Sequence, residues 1–212
     1  MNNFMQSGNL PNLLLTGVPG IGKTTTILAF AHKYYGDVFS DMVLMINASE
    51  ERGIDTIRKK IEPFVTTKTM CDNTTNLNFK LVIMDETDSM TIDAQAVLRK
   101  IIEKYIVGVR FCFICNYLKK ISPAIQSRCV IFTFKPLPES YVLNHINTIK
   151  LNENFEITND ASNLIIQYCK GDLRKLLNII QTLYLKIDNT KIITERSKEG
   201  IKSDKIIIIV VF

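Results

Sequence analysis

The sequence predicts an α/β fold, in which a mostly parallel, doubly wound sheet of five strands is followed by a small α-helical domain. Apolar runs of five or six residues alternate with helical segments, and such alternation is typical of parallel strands joined by crossover helices. These runs lie at 11–16, 42–47, 80–85, 110–115 and 130–134. Two prolines, Pro136 and Pro138, end the last run. Beyond them the pattern is helical only, through 139–151, 160–170 and 172–187.

Composition limits the class of protein. The 212 residues can bury a substantial core, and 46% hydrophobic with 22% charged residues argues against disorder. The net charge of +5 permits contact with a polyanion without requiring it. The first residues lack a secretory signal, and no stretch reaches the roughly 18–20 apolar residues that span a bilayer. We therefore expect an intracellular protein without a membrane segment.

The first strand runs into a glycine-rich loop, 17–24, that fits the eight-position phosphate-loop pattern, and a helix follows it. Glycines allow consecutive backbone N–H groups to turn toward a phosphate at a helix N-terminus, where the helix dipole also favours an anion. Lys23 would reach the β- and γ-phosphates, and Thr24 would offer its hydroxyl to Mg²⁺. The predicted nucleotide-binding residues are Gly17, Val18, Pro19, Gly20, Ile21, Gly22, Lys23, Thr24 and Thr25.

Two amphipathic helices lie between the strands. In the segment after Gly53 and in 91–105, apolar residues recur at helical spacing, so each segment is predicted to form a helix with one apolar face. The apolar residues are Ile54, Ile57, Ile61 and Phe64 in the first segment, and Ala94, Val97, Leu98, Ile101, Ile102 and Tyr105 in the second. Between them, 66–78 is rich in Thr and Asn and predicts an exposed loop.

The strand ends supply further candidate side chains. A phosphate loop alone does not separate kinases, GTPases and ATPases. Strand 80–85 ends in paired acids, of which Asp85 would hold Mg²⁺ directly or through water, and Glu86 would polarise the attacking water. The next strand ends at Asn116, whose amide can hydrogen-bond the γ-phosphate and the water.

Five scattered cysteines make a disulfide framework improbable on sequence grounds. Cys112 and Cys115 have the C-x-x-C spacing of a zinc half-site. They lie on a predicted strand, however, where residues three apart face opposite ways, and no second ligand pair follows. We expect core thiols.

Six motifs make the chain similar to a known family. They are Asn9–Leu15, Asn47–Ile54, Asp85–Thr91, Phe113–Tyr117, Ile125–Cys129 and Gly171–Arg174. In order and approximate spacing they resemble the small subunits of replication factor C, the AAA+ clamp-loader ATPases of eukaryotes, archaea and some large DNA viruses. The resemblance covers roughly residues 7–187, and Ser127-Arg128-Cys129 is specific to clamp loaders within the AAA+ group. It implies an AAA+ P-loop NTPase core followed by a helical lid.

The resemblance also implies residue roles. Asn116 matches the first sensor. Arg174 matches the second sensor, which contacts the γ-phosphate from the lid. Arg128 matches the arginine finger that acts in trans on ATP in the adjacent subunit, a contribution of about 10³–10⁵ in rate in well-studied NTPases. Arg58, Lys59 and Arg99 lie on segments matching helices that track the DNA backbone without reading sequence; for each of them a solvated helix face is an equal alternative.

The implied cofactors are ATP and Mg²⁺. The implied partners are the other subunits of a hetero-pentameric clamp loader, a sliding clamp and primer-template DNA, with no membrane. The implied location is the nucleus in a eukaryote or the replication site of a virus.

The ends of the chain depart from the family pattern. Sixteen residues precede Gly17, where family members have several tens, including a segment that closes over the adenine. We also expect the family's collar domain, which holds the pentamer together, to be missing. We expect a nucleotide-binding domain at 1–135, a lid at 136–190 and an unassigned tail at 191–212. For the isoleucine-rich end a terminal strand, an interface segment and an altered terminus all stay open.

Two functions are consistent with these observations. The first is an ATPase subunit that opens a sliding clamp and loads it on DNA during replication and repair. The second is a truncated, degenerate nucleotide-binding module without clamp-loading activity. An AAA+ initiator or helicase loader is disfavoured by Ser127-Arg128-Cys129.

Overall fold

The computed structural model describes residues 10–67, 79–153, 156–186 and 192–193. The main strands are β1 (Leu13–Thr16), β2 (Val43–Asn47), β3 (Lys80–Asp85), β4 (Val109–Cys115) and β5 (Val130–Thr133). The helices of the sheet region are α1 (Lys23–Tyr35), α2 (Phe39–Met42), α3 (Ile54–Thr56), α4 (Glu62–Thr66), α5 (Ile92–Lys104) and α6 (Pro123–Gln126). Short 3₁₀ turns lie at Gly36–Val38, Thr87–Ser89 and Leu118–Lys120, and a π-helical turn at Ile57–Ile61 joins α3 to α4.

The five strands form one sheet in the order β2-β3-β4-β1-β5. Every pairing is parallel, so the predicted α/β class with a five-stranded sheet is confirmed. The carboxyl ends of all five strands therefore share one edge of the sheet, and their amino ends share the other. In open parallel sheets ligands bind at the carboxyl edge.

The three central strands β1, β3 and β4 are buried on both faces, which explains why they are nearly continuous apolar runs rather than alternating ones. The edge strand β5 is largely exposed. One face of the sheet packs against the segment from Ile54 to Thr66 and α5, and the other against α1 and α2. Cys112 lies in the second layer and Cys115 in the first. The expectation of core thiols on opposite faces is thus confirmed for this pair. The predicted exposed loop at 66–78 lies outside the described residues, except that Thr66 ends α4 and Thr67 follows it.

The π-helical turn at Ile57–Ile61 was not predicted. Pro63 lies just after it, in the first turn of α4. A proline within a helix lacks an N–H and its ring clashes with the carbonyl four residues earlier, so a widened turn before it accommodates that ring. The predicted apolar face survives, because Ile57 and Ile61 are fully buried.

Contacts divide the chain into two units. One contains residues up to Gly17 and 22–134, and the other contains Val18–Ile21 and the chain from Lys135 onward. The second unit is built from α7 (Glu139–Glu153), α8 (Asn159–Cys169) and α9 (Leu173–Lys186), with a short parallel pair of β6 (Glu156–Ile157) and β7 (Ile192–Ile193) that was not predicted. The assignment of these parts as nucleotide-binding domain, lid and tail stays a prediction. The isoleucine-rich end, 205–212, lies outside the described residues.

The helices of the second unit have their own core. Val142, Ile146, Ile165 and Leu176 are among its buried residues. Helix α8 ends where Lys170 and Gly171 adopt positive φ values of 48° and 82°. A helix commonly ends on such residues. Among the described helices none is long and apolar enough to cross a membrane.

Candidate nucleotide site at the carboxyl edge of the sheet

The loop between β1 and α1 has the backbone of an anion cradle. Gly17, Gly20 and Gly22 have φ of 146°, 72° and 87°, values that only glycine adopts without strain. Gly22 is the residue before the first turn of α1. The N–H groups of that turn have no partner within the helix, which is why such a terminus attracts phosphate.

Lys23 lies at the centre of the site. Only 7% of its surface is exposed. Its Nζ donates to the carbonyl oxygen of Gly17 at 2.7 Å and to Oδ1 of Asn116 at 2.9 Å. The structure therefore brings the loop lysine and the amide at the end of β4 into one hydrogen-bond network, as expected for side chains at the carboxyl ends of adjacent strands.

Thr24 and Asp85 also meet. The Thr24 hydroxyl donates to Oδ2 of Asp85 at 2.8 Å, while the Glu86 N–H donates to Oδ1 of the same carboxylate at 2.8 Å. Octahedral Mg²⁺ holds oxygens at 2.0–2.1 Å, so neighbouring ligands lie about 2.9 Å apart. The Thr24–Asp85 spacing fits two neighbouring ligands of one such ion.

Glu86 is exposed at the end of β3 and adopts a left-handed backbone, with φ 51° and ψ 38°. This conformation costs a non-glycine residue about 1–2 kcal/mol, and such strain concentrates at functional sites. Thr87, fully buried beside it, donates its hydroxyl to the Met84 carbonyl at 2.8 Å. That bond fixes the turn immediately after the paired acids.

Comparison with known proteins agrees with this geometry. The sequence model of the ATPase family associated with various cellular activities (AAA) matches residues 13–137, which hold the loop, both acids and the β4 amide. The chain belongs to the AAA family. The prediction that the chain is an ATPase is thereby confirmed at the level of the family.

The predicted resemblance to replication factor C is also confirmed. This AAA chain is 44% identical over 189 residues to replication factor C subunit 3 of Schizosaccharomyces pombe, an alignment that includes 89% of this chain and 54% of the yeast protein. It is 46% identical over 183 residues to human replication factor C subunit 5, covering 86% of this chain and 53% of the human one. The chain thus spans about half the length of these relatives.

Solved structures agree on the fold. The Thermotoga maritima RuvB Holliday junction branch migration motor superposes with a TM-score of 0.67 at 16% identity, covering 99% of this AAA chain and 64% of that protein. At this identity the likeness concerns the fold alone.

Arg128 lies at the other edge of the sheet. It precedes β5 by two residues, and β5 pairs in register with β1, Val130 opposite Leu13 and Thr133 opposite Thr16. These four pairs span about 10 Å along the strands. The phosphate loop begins beyond the far end of that span, so the structure does not bring Arg128 to the loop of its own chain.

Arg174 lies in the second unit, near the start of α9. It is exposed, and its backbone N–H donates to Oδ1 of Asp172 at 2.9 Å. The same oxygen accepts from the Lys175 N–H at 3.1 Å. Asp172 is therefore the N-cap of α9. The Leu173 N–H donates to the carbonyl of Gly20 at 2.9 Å, so the tip of the phosphate loop contacts the start of the helix that carries Arg174.

The DNA candidates are not equivalent. Arg58 and Lys59 are exposed on the π-helical turn. Arg99 is also exposed, on α5, but its Nε donates to Oε1 of Glu103 at 3.1 Å. The nearby carboxylate partly offsets the positive potential around Arg99. We therefore expect Arg99 to attract a DNA phosphate less strongly than Arg58 or Lys59.

Sequence reasoning missed three residues that support the site. Asp88 accepts from the Tyr117 N–H at 3.3 Å, which ties the turn after the acids to the segment after Asn116. Gln95 is buried and bonds the Lys120 carbonyl and the Ser122 N–H. A glutamine on the apolar face of a helix was the available signal. The third residue, Glu103, accepts hydrogen bonds from Arg99 and Arg128.

Metal binding by cysteine is not supported within the described residues, which contain no group of three or more candidate metal ligands. Burial raises the pKa of Cys112 and Cys115. It also raises that of Cys129 to about 12. These thiols stay protonated at neutral pH, as structural cysteines do.

Proposed function

We propose that this chain binds Mg·ATP and hydrolyses it as one subunit of a DNA clamp loader. The observation that carries the proposal is the distribution of candidate side chains over the two edges of the sheet. Lys23, Thr24, Asp85 and Asn116 form one network at the carboxyl edge, whereas Arg128 lies at the amino edge. A chain with this arrangement needs a second subunit to complete each ATP site.

The carboxyl edge would bind the nucleotide. The backbone N–H groups of the loop would hold the phosphates, and Lys23 would exchange its contact with Asn116 for a phosphate oxygen. Thr24 and Asp85 would hold Mg²⁺, which when bound neutralises charge on the β- and γ-phosphate oxygens. The Glu86 carboxylate would accept a proton from the attacking water. The amide of Asn116, released from Lys23, would orient that water and the γ-phosphate.

Two arginines would act from elsewhere. Arg128 would enter the ATP site of an adjacent subunit and stabilise the charge that develops on the transferred phosphoryl group. Arg174 would contact the γ-phosphate and so couple the conformation of the helical unit to the bound nucleotide. The Leu173–Gly20 hydrogen bond supports this role, because it links the helix that carries Arg174 to the tip of the phosphate loop.

The names of the relatives support the proposed partners. These names describe numbered subunits of replication factor C, which supports assembly into a hetero-oligomer. We infer that the assembled complex opens a sliding clamp and places it on primer-template DNA in the nucleus, or at a viral replication site. The exposed cations Arg58 and Lys59 are candidates for contact with the DNA backbone.

The decisive experiment combines assembly with turnover. The chain is mixed with candidate loader subunits, with and without Mg·ATP, and the mass of the complex is measured. ATP hydrolysis is then compared between the isolated chain, the complex and an Arg128→Ala complex.

We expect incorporation into a pentamer, slow hydrolysis by the isolated chain, and a loss of about 10³–10⁵ in rate at the adjacent site on Arg128→Ala. Lys33→Ala, which removes an exposed cation on α1, is the matched control and should leave turnover unchanged. Fast turnover by a proven monomer, insensitive to Arg128→Ala, would disprove the trans role. Failure to assemble would favour a nucleotide-binding module that does not load clamps.

A further inference from the structure

Glu103 holds two arginines at the amino edge of the sheet. It lies in the last turn of α5, and its Oε1 accepts from Nε of Arg99 at 3.1 Å and from Nη2 of Arg128. Hydrogen bonding and the positive charges of these two guanidinium groups hold the pKa of Glu103 below its usual range. The carboxylate is therefore ionised at neutral pH, and the cluster carries one negative and two positive charges.

Both terminal nitrogens of the Arg128 guanidinium group donate hydrogen bonds. Nη1 donates to the Ala124 carbonyl at 2.6 Å and to Oγ of Ser127 at 3.3 Å, while Nη2 donates to Glu103. A guanidinium group has five N–H donors, so within the described residues these bonds leave donors for an incoming anion. About a third of the Arg128 side chain is exposed, which makes it accessible to a partner.

The backbone of Arg128 is fixed as well. Its N–H donates to the Ile125 carbonyl at 3.0 Å. Its carbonyl accepts from Nδ2 of Asn12 at 3.4 Å. Asn12 in turn accepts the Phe111 N–H at 2.9 Å, which anchors the turn to the sheet. With the main chain held in this way, the guanidinium group is placed by the Ala124 carbonyl and Ser127 Oγ through Nη1 and by the Glu103 carboxylate through Nη2.

We propose that Glu103 is a positioning residue for hydrolysis at the neighbouring subunit's ATP site, acting by restricting the Arg128 guanidinium group to the orientation seen here. This inference rests on the proposed trans role of Arg128. Its physical basis is that a preorganised donor contributes more to a transition state than a freely rotating one, since a misplacement of about 1 Å can cost about 10²-fold in rate.

The test is a double-mutant cycle in the assembled complex. The turnover that Arg128→Ala removes defines the activity of the site that Arg128 serves. Glu103→Ala should lower the kcat of that activity about tenfold while KM for ATP changes little, because only the position of a transition-state donor is affected. Glu103→Gln should cost less, about threefold, because its amide oxygen still accepts a bond that is roughly half as strong.

Glu103→Ala added to Arg128→Ala should have no further effect, because Glu103 acts only through that arginine. A general structural role would instead lower the activity of both backgrounds equally. Asp93→Ala, which removes another exposed carboxylate of α5, is the matched control and should leave kcat unchanged.

The outcomes separate the two proposals. No effect of Arg128→Ala overturns the trans role itself. A full effect of Arg128→Ala with an unchanged kcat for Glu103→Ala overturns the positioning role alone. An increase in kcat for Glu103→Ala also overturns it, since Glu103 would then withhold the arginine.

A second measurement uses the isolated chain. Guanidinium ¹⁵N NMR should resolve separate Nη1 and Nη2 signals for Arg128, assigned by their loss in Arg128→Lys. Exchange between these signals should become faster in Glu103→Ala, where the Nη2 bond is lost and the Nη1 bonds to Ala124 and Ser127 remain. Averaged signals in the unsubstituted chain would count against a held guanidinium group.

Discussion

Replacement of Gly20 by alanine tests the link between the phosphate loop and helix α9. Gly20 has φ of 72°, and a Cβ built on it would lie 1.7 Å from Oδ1 and 2.4 Å from Cγ of Asp172. The Asp172 side chain would have to rotate away. Its Oδ1 is the atom that accepts from the Arg174 and Lys175 N–H groups, so rotation removes the N-cap of α9.

The expected cost has two parts. The left-handed backbone costs alanine about 1–2 kcal/mol, and loss of an aspartate N-cap costs about 1 kcal/mol. The sum is about 2–3 kcal/mol. For a chain of 212 residues, each kcal/mol lowers Tm by about 2–4 °C, so Gly20→Ala should lower Tm by about 4–12 °C.

The assay is a pair of double-mutant cycles in which the stability of each variant is measured by thermal and urea unfolding. Gly36 is the matched control because its φ is 53° and nothing lies within 4 Å of a Cβ built there. Gly36→Ala should show the backbone cost only, and Asp172→Ala the cap cost only. Because Gly20→Ala already removes the cap, adding Asp172→Ala should change stability little. Asp172→Ala added to Gly36→Ala should instead lower the free energy of unfolding by the full cost of the cap, about 1 kcal/mol.

Coupling of about 1 kcal/mol in the first cycle and none in the second is the expected result. Additivity in both cycles would refute the reasoning, because it would mean that α9 keeps its cap when residue 20 carries a Cβ. Mg·ATP affinity measured on the same variants shows whether this contact also matters for binding.

Three further predictions concern the site, the DNA candidates and the thiols. Lys23→Ala should weaken Mg·ATP binding at least about 100-fold in calorimetric titration, since charged hydrogen bonds are worth about 1.5–3 kcal/mol each; Lys33→Ala should not, and unchanged affinity for Lys23→Ala would exclude the assigned site. Neutralising Arg58 or Lys59 should reduce the salt slope of DNA binding by the assembled complex by about one each, whereas Arg99→Ala should reduce it less because Glu103 holds that guanidinium group. An unchanged slope for all three would discard the assignment. Cys129 is partly buried, and burial raises its pKa to about 12. It should therefore react with thiol reagents at pH 8 much more slowly in the native chain than after denaturation, and equally rapid labelling in both states, detected by peptide mass mapping, would contradict the raised pKa.

The fold was predictable because its signals are local. Each strand is a continuous apolar run, and β1 enters a loop whose glycines adopt the positive φ values that the pattern requires. Thr91 and Asp172 cap their helices as residues of their type commonly do. The π-helical turn could not be foreseen in the same way, because it depends on how Pro63 is accommodated while Ile57 and Ile61 stay buried.

The supporting contacts were less predictable because they join residues distant in sequence. Glu103 lies 25 positions before Arg128. Its pairing with Arg99 follows helical spacing and was visible in the sequence, but its pairing with Arg128 exists only because α5 returns the chain to the amino edge where β5 begins. Lys80 shows the same limit. It is a cation on an apolar strand, and it is buried because its Nζ reaches the carbonyl oxygens of Phe64 and Thr67.

The strand order explains which candidate residues meet. Strands β3, β4 and β1 are consecutive neighbours in the sheet, and Asp85, Asn116 and the loop follow their carboxyl ends, so parallel pairing alone brings these groups together. Arg128 precedes its strand instead of following it. The same parallel pairing that assembles the phosphate side of the site therefore places Arg128 at the opposite edge. A residue's position before or after its strand thus determines at which edge of the sheet it lies, and this difference supports the proposed role of Arg128 at the ATP site of a neighbouring subunit.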